Sequence, residues 1–239
     1  MFRPIAARMT RWLAALPGPP AVCVVCGAWP SRTFCEECVR RFAQPVARCR
    51  TCAMQVTGGI SQCGACLTRP PPLGACLAAV TYAYPWDRSI AALKFREQPG
   101  LANALGLLLR SAPWVEPLLE ASDVLLPLPL SSRRLSERGF NQAALLARQL
   151  APGITDTASL LRIRHTPALS GMDRKTRRAH VRGAFAVEPA RIGRVAGKNI
   201  LLLDDVMTSG ATLHEAARTL WRAGAANVSA VVFARTPLP

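Results

Sequence analysis

Asn199 to Leu220 read NILLLDDVMTSGATLHEAARTL, and this stretch decides the fold. Ile200 to Leu203 form an apolar run without polar alternation, the pattern of a short strand buried on both faces of a parallel sheet. Two carboxylates follow, Asp204 and Asp205, and then the small and hydroxyl residues Thr208, Ser209, Gly210, Ala211 and Thr212. Leu213, Ala216, Ala217 and Leu220 recur at helical spacing, so the order is strand, acid pair, loop, helix. A helix N-terminus leaves backbone N–H groups unpaired and carries partial positive charge. The hydroxyls of Thr208, Ser209 and Thr212 add donors and Gly210 permits close approach, which makes the junction a phosphate cradle. It lacks the Gly-Lys-Ser/Thr of a Walker loop. Adjacent carboxylates repel a phosphate, but they suit the hydroxyls of a sugar such as ribose held a few ångströms away. A capped helix after a buried strand would not by itself require an acid pair followed by TSGAT.

The same residues resemble the 5-phosphoribosyl-1-pyrophosphate (PRPP) motif of type I phosphoribosyltransferases. The resemblance implies that Asp204 and Asp205 meet the ribose hydroxyls and that Thr208 to Thr212 hold the 5′-phosphate.

Outward from this motif, Asp123-Val-Leu-Leu-Pro-Leu-Pro begins as a strand that Pro127 and Pro129 must end. SSRRLSERGFNQ follows, with Arg133, Arg134 and Arg138 beside Ser131 and Ser132. Ligands of open α/β sheets bind outside the carboxyl ends of strands. Guanidinium forks take phosphate oxygens in pairs, so these arginines form the candidate pyrophosphate site. Helices are predicted at 87–97, 100–109 and 141–150, and strands at 77–84, 183–187 and 227–234. Their alternation from residue 77 onward predicts a parallel α/β sheet flanked by helices.

Residues 162–182 carry Arg162, Arg164, Arg174, Lys175, Arg177, Arg178 and Arg182 against the lone acid Asp173. Such a segment suits a lid over an anionic ligand or a track for a nucleic-acid backbone, with Arg174, Lys175, Arg177 and Arg178 at its centre. It contains no Phe, Tyr or Trp on which single-stranded bases would stack.

The N-terminal part is organised by cysteine. Eight of the nine cysteines form Cys-x-x-Cys pairs: Cys23 and Cys26, Cys35 and Cys38, Cys49 and Cys52, Cys63 and Cys66. Each pair aims two sulfurs at one metal, and two pairs supply the four thiolates of a tetrahedral Zn²⁺ site. The simplest grouping is sequential, one zinc on Cys23, Cys26, Cys35 and Cys38 and one on Cys49, Cys52, Cys63 and Cys66; an interleaved grouping uses the same residues. Four thiolates leave no open position, so both sites are expected to be structural, with metal supplying much of the folding free energy of this short segment. Cys76 stands outside the pattern and is expected to be a buried small apolar residue. Pro70-Pro71-Pro72-Leu73-Gly74 reads as a linker, which divides the chain into a basic amphipathic segment at 1–20, a cysteine-rich module at 21–69 and an α/β domain at 75–239.

Charge narrows the partners. The chain has 30 Lys and Arg against 14 Asp and Glu, a net charge of +16, which favours phosphate-rich partners. No apolar run reaches the ~20 residues that span a bilayer, and the first residues lack the continuous apolar core of a secretory signal. The expected location is cytoplasmic.

Taken together, the paired Cys-x-x-Cys modules, PLPLSSRRLSERGFNQ, RKTRRAHVRGAF and ILLLDDVMTSGAT resemble the ComF family, a competence or GntX-like group with a phosphoribosyltransferase-type domain. The resemblance implies a type I phosphoribosyltransferase-like α/β fold preceded by a double zinc ribbon, and binding of PRPP with Mg²⁺. It implies a part in handling incoming single-stranded DNA during transformation, with competence or recombination proteins as partners, and phosphoribosyl transfer by analogy of fold. Nucleotide salvage unrelated to DNA, and a zinc-held scaffold with a vestigial pocket, are the competing readings.

Overall fold

A computed structural model of the chain describes residues 20–96, 98–164 and 179–237. The amphipathic segment expected at the N-terminus, apart from Pro20, lies outside these residues, as do Arg174, Lys175, Arg177 and Arg178.

Helices α1 (Glu36–Phe42) and α2 (Gly64–Thr68) belong to the cysteine-rich part. Strand β1 (Cys76–Thr81) leads into helices α3 (Trp86–Phe95), α4 (Leu101–Ser111) and α5 (Val115–Glu120). Then come β2 (Val124–Pro127), α6 (Ser132–Arg138), α7 (Gln142–Leu150), β3 (Leu160–Arg162) and β4 (Phe185–Val187). A 3-10 helix at Pro189–Arg194 precedes β5 (Asn199–Met207), α8 (Ala211–Arg222) and β6 (Asn227–Arg235).

Strands β1, β6, β5 and β2, in that order, form a parallel sheet. Leu201 on β5 lies between Leu125 on β2 and Ser229 on β6. The unbroken apolar run does what its pattern requires: Leu201 and Leu203 enter one buried cluster, Ile200 and Leu202 the opposite one. The first cluster is closed by α3, α4, α5 and α7, the second by α8 and β4. Each fully buried Leu on this central strand contributes about 1.5–3 kcal/mol.

Two features differ from the sequence-based expectation. Strand β5 continues to Met207, so the acid pair lies inside the strand; β6 is long enough to pair with it, Asp204 opposite Val232 and Met207 opposite Arg235. Strands β3 and β4 form a separate antiparallel pair, Leu160 opposite Val187 and Arg162 opposite Phe185. The strand expected at 183–187 is β4, but it pairs with β3 and not with the parallel sheet; the three-residue β3 and the six-residue α5 carry too little pattern to be read from sequence.

The cysteine-rich part is packed on this frame. The Trp86 indole donates to the Phe42 carbonyl at 2.9 Å and stands edge-on between Phe34 and Phe233. On the other side, Cys76 N–H donates to the Arg50 carbonyl, and Arg48 donates to Ala53 O and Thr81 Oγ1.

A candidate active-site cleft and two candidate metal centres

A cleft of about 640 Å³ opens at the carboxyl ends of β2 and β5. Asp204, Asp205 and Thr208 line its β5 side, Arg134 and Arg138 its α6 side, and Lys94 reaches in from α3. Parallel strands bring these groups together because both end at the same edge of the sheet, and the turns that follow carry the polar residues.

The loop after β5 is shaped by Gly210, which holds φ +76° at the N-terminus of α8. A Cβ there would stand 2.5 Å from Met207 Cε and 2.9 Å from the His214 ring. Gly210 has no side chain to cap α8, and the Ala211 N–H donates to Ser209 Oγ at 3.4 Å. Thr208 and Thr212 stand at the cleft wall beside this helix start, and a helix N-terminus favours an anion.

The acids are unequal. Asp205 is 3% exposed and forms an ion pair with Lys94, while Gln142 Nε2 donates to its Oδ1 at 3.5 Å. Arg138 in turn donates to Gln142 Oε1 and lies 5.2 Å from the Phe95 ring centroid. Burial raises the proton affinity of Asp205, but the Lys94 ammonium and the hydrogen bonds from Lys94, Asp204 and Gln142 outweigh it and hold the carboxyl below its ordinary range. Burial and then the Asp205 charge push Asp204 well above that range. Two charges side by side disfavour each other, and the Lys94 ammonium favours the Asp205 charge, so the two carboxyls shift in opposite directions.

Of the residues singled out from sequence, Asp204, Asp205, Thr208, Thr212, Arg134 and Arg138 meet in this cleft, and Arg162, at the start of the basic segment, lines it too. Arg133 is exposed, bonds to Glu137 at 2.7 Å and is not among the residues lining the cleft, although Glu137 is. Ser209 turns to a second cavity behind the loop. Sequence reasoning passed over Lys94, Gln142, Tyr82, Phe95 and Phe140, which also line the cleft. Lys94 carried a faint signal, as a lone cation on an otherwise apolar helix face; the others carried none.

The cysteines form two groups in sequential order, Cys23, Cys26, Cys35 and Cys38, then Cys49, Cys52, Cys63 and Cys66. Within each group the sulfurs lie within 4.8 Å of one another, which removes the interleaved alternative. A tetrahedral Zn–S₄ unit with bonds of about 2.3 Å has edges of about 3.8 Å. Cys26 and Cys35 sulfurs are 3.7 Å apart and those of Cys52 and Cys63 3.8 Å, so the donor set fits that ion. Backbone N–H groups of Cys35 and Cys38 point at the sulfurs of Cys23 and Cys35. Cys76 lies apart, buried against the Met207 sulfur at 3.6 Å, and burial pushes its thiol up to about 12.

Comparison with known proteins agrees with this architecture. Residues 136–237 match the family described as phosphoribosyl transferase domain. DNA utilization protein YhgH of Salmonella typhimurium is 31% identical over 226 residues, covering 91% of this chain and 98% of the relative. The chain belongs to the ComF family. Competence protein F of Haemophilus influenzae is 28% identical over 210 residues, 84% of this chain and 88% of the relative. Competence protein ComFC of Bacillus subtilis is 41% identical over 117 residues, 47% of this chain and 45% of that protein. The ComF fold is thus a phosphoribosyltransferase-like parallel sheet flanked by helices with two four-cysteine modules before it. No helix among the described residues is long and apolar enough to cross a membrane.

Proposed function

We propose that this ComF protein binds PRPP with Mg²⁺ in the cleft and acts in DNA utilisation and competence, as the names of its relatives indicate for them. One observation carries the binding reading: an acid pair and the Thr208 and Thr212 of a Gly210-bent helix start share one cleft with Arg134 and Arg138. The 5′-phosphate would lie on Thr208 to Thr212, with the Thr208 and Thr212 side chains at the cleft wall. The ribose hydroxyls would donate to Asp204 and Asp205, and the pyrophosphate would face Arg134 and Arg138. Carboxylate oxygens suit Mg²⁺, which takes one or two of them along with substrate phosphates, and the ion would neutralise pyrophosphate charge. Zn²⁺ in the two four-cysteine groups would hold the N-terminal modules in place.

Phosphoribosyl transfer is the chemistry this placement serves. A nucleophile would bond to the anomeric carbon as the bond to pyrophosphate breaks, and the electron pair would leave on pyrophosphate. The chain's contribution would be positioning and stabilisation of the leaving charge by Arg134 and Arg138. Calorimetry with PRPP and Mg²⁺, with zinc measured on the same sample, tests the binding. Affinity undiminished in Asp204→Asn, Asp205→Asn would overturn the ribose assignment. Pyrophosphate release with candidate nucleobases reads the transfer.

A further inference from the structure

Arg235, the last residue of β6, is 3% exposed. Its Nε donates to the Cys52 carbonyl at 2.9 Å, inside the second four-cysteine group. Its Nη1 donates to Met207 O at 2.9 Å, to Thr208 O and to Thr236 O at 2.8 Å. One rigid planar group thus holds a metal-binding turn on one side and, on the other, the two peptides by which the chain leaves β5 for the phosphate loop. Arg48 repeats the theme: its guanidinium donates to Ala53 O, the next carbonyl of the same turn. Both cations lie beside a group that becomes net anionic when four thiolates hold Zn²⁺. The cavity behind the loop, about 600 Å³, is walled by Cys52, Cys63, Met207, Ser209 and Arg235, so the centre and the loop face each other across it. The first four-cysteine group has a different seat, through Phe34 and Phe42 against Trp86.

We propose that Arg235 is a positioning residue that couples the second four-cysteine centre to the phosphate loop, so that metal in that centre, and not in the first, sets the loop's grip on a phosphorylated ligand. The inference rests on the PRPP reading for its ligand but not for its geometry. Without metal, the Cys49–Cys52 turn loses its fixed shape and withdraws the Cys52 carbonyl. The buried Arg235 Nε–H then loses its bond to Cys52 O, and the guanidinium shifts with that loss. Met207 O and Thr208 O move with it, and the loop N–H groups lose their common aim. Coupling free energies between sites correspond to roughly 5- to 150-fold in affinity. The effect is reciprocal, so ligand on the loop must retain metal in the second centre by the same factor.

The test uses the full-length zinc-loaded protein and the variants Cys63→Ser, Cys26→Ser and Arg235→Lys. Hydrogen exchange of the amides at 207–212 is read first, because it needs no ligand. Cys63→Ser should speed it at least about fivefold and Cys26→Ser should leave it unchanged; equal effects of the two would overturn the proposal. Arg235→Lys keeps all eight thiolates and covers the case in which Cys63→Ser does not fold. It should bind two zinc ions yet show the same loop exchange as Cys63→Ser; wild-type exchange would overturn the proposal. Zinc release to a chelator is then followed with and without PRPP and Mg²⁺. PRPP should slow one of the two release phases in the wild type and neither in Arg235→Lys. If the wild type gives no calorimetric signal with PRPP, the proposed function fails, while the exchange comparison still decides the coupling.

Discussion

Lys94 on α3 and Asp205 on β5 form an ion pair on the wall of the cleft, with 20% and 4% of their side chains exposed. Lys94 lowers Asp205 while burial and the Asp205 charge raise Asp204, which makes the two acids opposite in their effect on stability. Asp204 has its folded value raised above the ordinary 3.8, chiefly by burial, so the folded state binds more protons than the unfolded one above that pH. Its contribution is full below about pH 3.8 and is lost as pH rises through the raised value. Asp205 has its folded value lowered, so its contribution is present above pH 3.8 and lost as pH falls below it. At pH 7, Asp204→Asn should therefore stabilise the ligand-free protein by about 1 kcal/mol, a rise of roughly 2–4 °C in Tm. Asp205→Asn should destabilise it by about 1–3 kcal/mol, less than a fully buried pair because Lys94 is partly solvated. Thermal unfolding of the two variants at pH 7 reads the signs, and equal shifts of one sign would sink the asymmetry.

Gly210 is the position where backbone shape and ligand approach coincide. Its φ of +76° is strained for any L side chain, and the nearest obstacles to a Cβ are the tip of Met207 and the His214 ring. Both can give a little, so Gly210→Ala should cost about 1–3 kcal/mol and still fold. The loop should pay more than the fold does: PRPP affinity should fall at least about tenfold. Unchanged affinity by calorimetry would mean that the phosphate does not depend on this turn.

Much of this was legible in the sequence, and the reasons are physical. The run Ile200–Leu203 must be buried on both faces, so it fixed a central parallel strand, and the spacing of Leu213, Ala216 and Leu220 fixed the helix that follows. Cys-x-x-Cys pairs are local devices, so their eight members were legible, but sequential grouping needed coordinates because both groupings satisfy the same spacing. The partnership of Lys94 with Asp205, and of Arg235 with Cys52, was not legible, since each joins residues far apart in sequence through contacts that leave no periodic trace. Arg133, Arg134 and Arg138 looked alike as a cluster; α6 brings Arg134 and Arg138 to the cleft and leaves Arg133 exposed and bonded to Glu137.

Trp86 ties the cysteine-rich part to the sheet. It is 1% exposed, donates to Phe42 O, and stands 5.2 Å from Phe34 and 5.9 Å from Phe233 between ring centroids. Trp86→Ala removes the filling and both edge contacts and should cost about 3–5 kcal/mol. Trp86→Phe keeps most of the volume but leaves the Phe42 carbonyl without its donor, which should cost about 1–3 kcal/mol. Chemical denaturation of both variants, with zinc content checked, would show whether the ranking holds; a Phe variant as damaged as the Ala one would shift the weight from packing to the hydrogen bond.

The last prediction concerns Arg174, Lys175, Arg177 and Arg178, whose charges serve either a lid or a nucleic-acid track. The two roles separate by salt. Each phosphate contact on a single strand adds about 0.7 to the slope of log affinity against log salt. If all four residues touch the backbone, replacing them with Ala should lower the slope by about 3, weaken binding of a labelled oligonucleotide at low salt, and leave PRPP affinity as it was. A lid gives the reverse result, because its cations face a ligand in the cleft and not a strand outside it: PRPP affinity falls and the slope stays. We expect the slope to change, because a net charge of +16 sets up a field that draws in a polyanion over the whole surface, whereas the cleft already has Arg134, Arg138 and Arg162 for its own ligand. Fluorescence anisotropy at three salt concentrations, beside calorimetry with PRPP, decides between them, and an unchanged slope would overturn the track.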